Sequence, residues 1–212
     1  MVSLRPMPLP FREIFTRLEA RVPMEVWWPG ESDFEIMVGA ILTQNTAWTN
    51  VEYALANLKS ENLMDPQALL DCSTEQLVEL IRPAGYFNAK AKYLKNLCKW
   101  VLANPNAADL PTPELRKSLL SVAGVGPETA DDLLLYVYQR PVFIFDTYAR
   151  RMLDAAGYDV PKSYEGARQA LQHHVDLAGF DTAQQAKLHG LIVDGGKRAR
   201  TEGWQDLLAS LP

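Results

Sequence analysis

Residues 119–151 read LLSVAGVGPETADDLLLYVYQRPVFIFDTYARR. Gly124-Val125-Gly126 interrupts a run with helical apolar spacing, and a second such run follows at once. Pro127 suits the first position of that second helix, where its missing N–H would have no partner anyway. Further on, Asp146 comes directly after the apolar residues Val142-Phe143-Ile144-Phe145. In a helix–Gly-x-Gly–helix unit the glycines allow backbone angles closed to other residues and bring no side chain. The hairpin amides and those of the next first turn are then bare, and a helix N-terminus with free N–H groups accepts a phosphate. Such a contact positions a nucleic acid without reading its sequence. An ordinary tight turn between helices has the same appearance. Asp146 likewise carries two readings, a partly buried acid with a chemical role and the N-cap of the helix that Thr147 opens.

Outward from this stretch the pattern is helical nearly everywhere. Apolar spacing predicts helices over Phe11–Ala20, Asp33–Leu42, Ala47–Leu58, Pro66–Leu70, Thr74–Ile81, Ala89–Leu102, Glu114–Val122, Pro127–Tyr138, Thr147–Ala156, Tyr164–Leu177 and Thr182–Val193. The class is therefore all-α, with about ten helices joined by short loops. Asp33–Leu42 is apolar on almost every face and belongs at the centre of the fold. Ser32 is its expected N-cap, with Glu35 completing a capping box. Thr46 is the expected cap of the next helix.

A chain of 212 residues can bury a sizeable core, and 48% hydrophobic with 22% charged residues is ordinary for a soluble globular protein. No apolar run approaches the roughly 20 residues of a membrane span. The N-terminal MVSLRPMPLP lacks the apolar core of a signal peptide, so the expected location is cytoplasmic. The cysteines, Cys72 and Cys98, are too few for a four-cysteine metal site and read as buried, reduced thiols. No metal site is expected from the pattern. The net charge of −5 argues weakly against a polyanionic partner. Yet residues 81–108 hold Arg82, Lys90, Lys92, Lys95 and Lys99 with no acid, and Lys197, Arg198 and Arg200 form a second basic cluster. Such segregation fits one DNA-facing side, or simply a solvated helix face.

Leu119 to Tyr148 resembles the helix-hairpin-helix and aspartate signature of the endonuclease III superfamily of DNA glycosylases. VAGVGPETAD and FIFDTYARR stand in that family's order. Thr43-Gln44-Asn45-Thr46 resembles the loop ending its second helix, and Gly85-Tyr86-Phe87-Asn88-Ala89-Lys90-Ala91 another recurrent turn and helix start on the DNA side. The matches span roughly Phe34 to Arg151. Three departures stand out. Glu128 occupies the place of the lysine that bifunctional members use as a Schiff-base nucleophile. The C-terminal four-cysteine iron–sulfur loop is missing. Tyr148 stands where bifunctional enzymes usually have histidine. Together with Trp27-Trp28-Pro29, Arg82-Pro83-Ala84-Gly85-Tyr86, and His189-Gly190 with Lys197, these departures resemble the 3-methyladenine DNA glycosylases of the endonuclease III type.

That resemblance implies a base excision repair enzyme, active on double-stranded DNA that contains a damaged base. It would hydrolyse the N-glycosidic bond of a flipped alkylated purine, without lyase activity. The alternatives are a glycosylase for oxidised pyrimidines or mismatched bases, and a non-catalytic binder of distorted DNA. The chain would act as a monomer, without an iron–sulfur cluster and away from membranes, with a monovalent cation at the hairpin left open. Asp146 is the expected catalytic residue. Trp27, Trp28, Trp48 and Lys197 are expected to line the base pocket, with Tyr53 and Tyr86 secondary. For each aromatic, core packing is the alternative, and for Lys197 a surface phosphate contact. Gln44 would fill the vacated stack or else cap the second helix. Asn45, Gly124, Val125, Gly126, Glu128, Thr129, Lys90 and Arg198 complete the expected DNA-binding set, with Lys92 and Arg200 as further phosphate contacts. Two helical lobes are expected, residues 32–136 and residues 1–31 with 137–212, with the active-site cleft between them.

Overall fold

The computed structural model of the chain describes residues 7–24, 28 and 30–211. The described residues hold twelve α-helices and two short 3-10 turns and no strand, so the fold is all-α. The chain divides into two compact units, Met1–Trp28 with Pro141–Pro212, and Pro29–Arg140.

The first unit contains α1 (Phe11–Arg21), α9 (Thr147–Ala155), α10 (Tyr164–Ala178), α11 (Thr182–Arg198) and the single turn α12 (Trp204–Leu207). Its core gathers one face of α1 (Phe11, Ile14, Leu18), the extended run Phe143 and Phe145, and Met152, Leu153, Leu188 and Ile192 of α9 and α11. The phenylalanines meet edge to face, Phe11 with Phe143 at 5.3 Å and Phe143 with Phe145 at 4.7 Å between centroids. Each buried side chain of this size contributes about 1.5–3 kcal/mol. Two glycines let aromatic rings lie on the backbone of α11. A Cβ at Gly196 would stand 2.2 Å from the Tyr148 ring, and one at Gly195 would stand 3.2 Å from Trp204.

The second unit contains α2 (Asp33–Leu42), α3 (Trp48–Ser60), α4 (Pro66–Asp71), α5 (Thr74–Leu80), α6 (Phe87–Ala103), α7 (Thr112–Leu120) and α8 (Pro127–Tyr136). The 3-10 turns Arg82–Ala84 and Ala107–Asp109 lie on either side of α6. Helix α2 is central, as its apolar surface requires: Met37 to Leu42 are all buried, and it packs on α3, α6 and α8. Ser32 caps it by accepting the Glu35 amide at 3.2 Å. The capping box is not completed, however. The Glu35 carboxylate accepts from the Glu31 amide and pairs with Lys59 at 2.8 Å, because a cation stands within reach. Thr46 does not cap α3 either; Ala47 is the N-cap, and Thr46 accepts a side-chain bond from Asn50. A full capping box occurs instead at α11, between Asp181 and Gln184.

Candidate active site and nucleic-acid interface

Asp146 lies at the N-cap of α9 and is 8% exposed. Phe143, Ile144 and Phe145 before it are buried, Phe145 fully so, and this carries the acid inside. Its Oδ1 accepts the Ala149 amide at 2.6 Å, so capping occupies one oxygen. The other, Oδ2, stands 3.8 Å from Nε2 of His189, a residue of α11 that is 6% exposed. The first turn of α9 places its partial positive charge beside the carboxylate. The two readings of Asp146 are thus compatible, one per oxygen. The pairing with His189 was not legible, because α9 and α11 meet only through the fold. Tyr148, two residues on, lies against Gly196 and accepts from Arg200 at 3.2 Å.

In the second unit α7 and α8 flank the hairpin. Gly124 has φ +109°, and a Cβ there would stand 2.3 Å from the Tyr93 ring, so both backbone angle and close approach require glycine. Gly126 has φ −87°, an angle open to any residue, and a Cβ there would meet nothing within 4 Å. Its contribution is therefore the missing side chain alone. Gly126 is the N-cap of α8, and no side chain caps that end. Pro127 occupies the first turn and Glu128 is exposed beside it. Val125 turns its side chain inward, 5% exposed, and gives its amide to Val122 O at 2.9 Å. Thr129 is also inside, 6% exposed, and its Oγ1 accepts from Gln44. Neither side chain is presented to a nucleic acid. Behind the hairpin, Arg116 of α7 forks onto Asp131 of α8 at 2.7 and 3.1 Å, both largely buried. Such a bidentate pair fixes the angle between the two helices.

Gln44 and Asn45 follow the end of α2. Gln44 Nε2 donates to Gly124 O at 3.0 Å and to Thr129 Oγ1 at 3.1 Å, which docks the loop on the hairpin and leaves Oε1 outside both bonds. Asn45 is exposed with φ +54°. A second tip, Gly85-Tyr86, precedes α6. Tyr86 is in left-handed backbone, φ +46°, and is 71% exposed. Such backbone in a residue other than glycine persists only where its surroundings fix it, a feature of Tyr86 that the sequence did not show.

The basic side chains divide differently from the expectation. Lys90 is buried, 2% exposed, and its ammonium donates to Leu42 O and Ala84 O at 2.8 Å each, so it is not offered to a phosphate. Burial pushes its pKa below the usual lysine value. Lys95 donates to Leu70 O at 3.0 Å and closes the end of α4, and Arg82 pairs with Glu79. Lys92 and Lys99 remain exposed. In the first unit Arg198 is engaged by Glu202 and by Arg21 O, which withdraws it from the phosphate role. Lys197 is exposed and bonded to Asp194 at 2.7 Å. Of the expected pocket aromatics, Trp28 (φ +53°) and Trp48 are half-buried, and Trp27 lies outside the described residues. Cys72 and Cys98 are free and buried, and burial raises Cys98 to about 12.

An all-α fold with a glycine hairpin, a bare helix end after it and a buried aspartate beyond defines a DNA repair glycosylase of the helix-hairpin-helix kind. Residues 38–176 match the HhH-GPD superfamily of base excision DNA repair proteins, and the chain belongs to that family. It is 41% identical over 179 residues to the "Putative DNA repair glycosylase MJ1434" of Methanocaldococcus jannaschii, covering 81% of this chain and 80% of that one. It is 32% identical to endonuclease III of Haemophilus influenzae, over 72% of this chain and 73% of the relative. Among solved structures it resembles the Helicobacter pylori 3-methyladenine DNA glycosylase bound to 1,N6-ethenoadenine. That likeness has TM-score 0.74 and 29% identity and covers 90% of this chain and 98% of that one.

Proposed function

We propose that this DNA glycosylase is monofunctional and releases alkylated purines such as 3-methyladenine. The observation that carries the reading is Glu128 in the first turn of α8, where lyase members of the family place their nucleophilic lysine. A carboxylate cannot form an imine. The substrate class is supported by the likeness to the Helicobacter pylori 3-methyladenine enzyme over 90% of the chain.

A purine nucleotide alkylated at a ring nitrogen, as in 3-methyladenine, carries positive charge, and its base leaves without acid assistance. The C1′–N bond breaks, its electron pair departs with the base, and positive charge develops on the sugar. Asp146 Oδ2 stabilises that charge and accepts a proton from the water that adds to C1′, giving an abasic site and the free base. The base must first leave the duplex. Gln44, Asn45 and Tyr86 meet the disturbed stack, and the bare end of α8 holds a backbone phosphate. Trp27, Trp28 and Trp48 supply aromatic faces for a cationic base. The enzyme works as a monomer in the cytoplasm, without an iron–sulfur cluster.

The test is release of 3-methyladenine from DNA treated with dimethyl sulfate. The base appears with wild-type protein, the strand breaks only after alkali, and borohydride traps no protein–DNA adduct. No released base would refute the substrate class, and a trapped adduct would refute the role of Glu128. In the Glu128→Lys variant, borohydride trapping is expected to appear.

A further inference from the structure

Lys90 is a buried cation that the chemistry above does not use. Lysine is almost never fully buried without a partner, yet no carboxylate pairs with it among the described residues. Its ammonium is held by two carbonyls, Leu42 O and Ala84 O, at 2.8 Å each. Leu42 ends α2, where the helix dipole favours a cation. Ala84 ends the 3-10 turn. The residues just beyond both anchors do the same thing. After Leu42 come Thr43, Gln44 and Asn45, with Asn45 at φ +54°. After Ala84 come Gly85 at φ +67° and Tyr86 at φ +46°. Left-handed backbone in a residue other than glycine is strained and persists only where its surroundings fix it. One side chain closes the root of both strained tips.

We propose that Lys90 is a positioning residue that locks the Gln44–Asn45 and Gly85–Tyr86 tips into one register, so that both enter the duplex together when the base leaves the stack. The proposal rests on the reading of this chain as a glycosylase that extrudes its base. It separates the cost of opening the duplex, which the tips offset, from bond cleavage, which falls to Asp146. Without Lys90, the loss should follow how firmly the target base is held.

The experiment uses duplexes carrying a single adenine, methylated with dimethyl sulfate, placed opposite thymine or opposite an abasic-site analogue. Single-turnover release of 3-methyladenine is followed for wild type and for Lys90→Met, which keeps the buried stem and removes the donors. A misplaced tip should slow release from the thymine-paired duplex about 10²-fold. Release opposite the abasic analogue, where less must be undone, should stay within about threefold. Lys90→Gln, which keeps a donor, should fall between. Equal losses on both duplexes, or none, would overturn the proposal, as would failure of both variants to fold, which would make Lys90 a requirement of the fold alone. Gln44→Ala and Tyr86→Ala test the underlying reading separately. If they lower the paired-to-unpaired ratio and Lys90→Met does not, the tips stand and the role of Lys90 falls. If wild type releases no base from either duplex, the glycosylase reading falls and the proposal with it.

Discussion

Two helices start at Gly126 and Asp146, and each treats the unpaired amides of its first turn in the opposite way. At α9 a carboxylate from the chain itself, that of Asp146, which is 8% exposed, accepts the Ala149 amide at 2.6 Å and caps the end. At α8 the N-cap is a glycine with no side chain, the site of its absent Cβ is empty to 4 Å, and no side chain closes the end. A capped end holds its own negative charge in a fixed place, which suits a group that must meet charge developing on a sugar. A bare end has partial positive charge to offer an anion from outside. One physical feature, the helix N-terminus, is closed by an acid at α9 and left without a side-chain cap at α8.

The largest effect that could break this contrast is at Asp146. Asparagine caps a helix as well as aspartate does, so Asp146→Asn should leave the melting temperature unchanged while lowering base release 10²- to 10⁴-fold. Single-turnover release beside a thermal melt measures both; activity within tenfold of wild type would reduce Asp146 to a cap. Next is Gly124→Ala. It forces a side chain into φ +109° and against the Tyr93 ring, and should lower unfolding stability by about 3 kcal/mol in urea titration. A neutral result would mean that the hairpin can move away from α6.

The helices, the buried α2 and the sheltered Asp146 were legible because local apolar spacing produces them. What was not legible depended on distant partners. Lys90 sits in a stretch of α6 whose charges looked outward by spacing and composition, yet it turns inward because two carbonyl ends, from α2 and the 3-10 turn, converge on it. Thr129 looked like a residue of the hairpin surface, but Gln44 arrives from far along the chain and covers it. Arg198 looked available until Glu202 and Arg21 O were seen to engage it. Gly126 was expected to need unusual backbone angles and does not; its value lies in the absent side chain, which sequence cannot distinguish from an absent constraint. His189 was noticed only as part of a resemblance, since nothing in its neighbours points to Asp146.

Gly126→Asp would make the α8 end resemble that of α9. The backbone angle allows it, the space is open, and the new carboxylate can cap the first turn. Stability should rise by a few tenths of a kcal/mol, the small difference between glycine and a good cap. Binding to undamaged and damaged duplex should weaken together, about tenfold, because a fixed negative charge now lies where the phosphate would sit. Calorimetry and fluorescence anisotropy read the two signs. Tighter binding, or weakening confined to damaged DNA, would show that the bare end does not hold the backbone.

The smallest effects separate exposed from engaged cations. Lys92 is exposed on α6, whereas Arg198, close to it in the sequence-based expectation, is tied to Glu202 and Arg21 O. A lysine that contacts one phosphate contributes close to one unit to the slope of log affinity against log salt. Lys92→Gln should therefore weaken binding equally on all sequences and flatten that slope by about one. Arg198→Gln should leave the slope unchanged, because its charge is already neutralised by a neighbouring carboxylate. The comparison is informative even though neither change is large, since a slope counts contacts while a single affinity does not. A flatter slope for Arg198→Gln would mean that Glu202 releases the arginine when DNA arrives, and the second basic cluster would then belong to the interface after all.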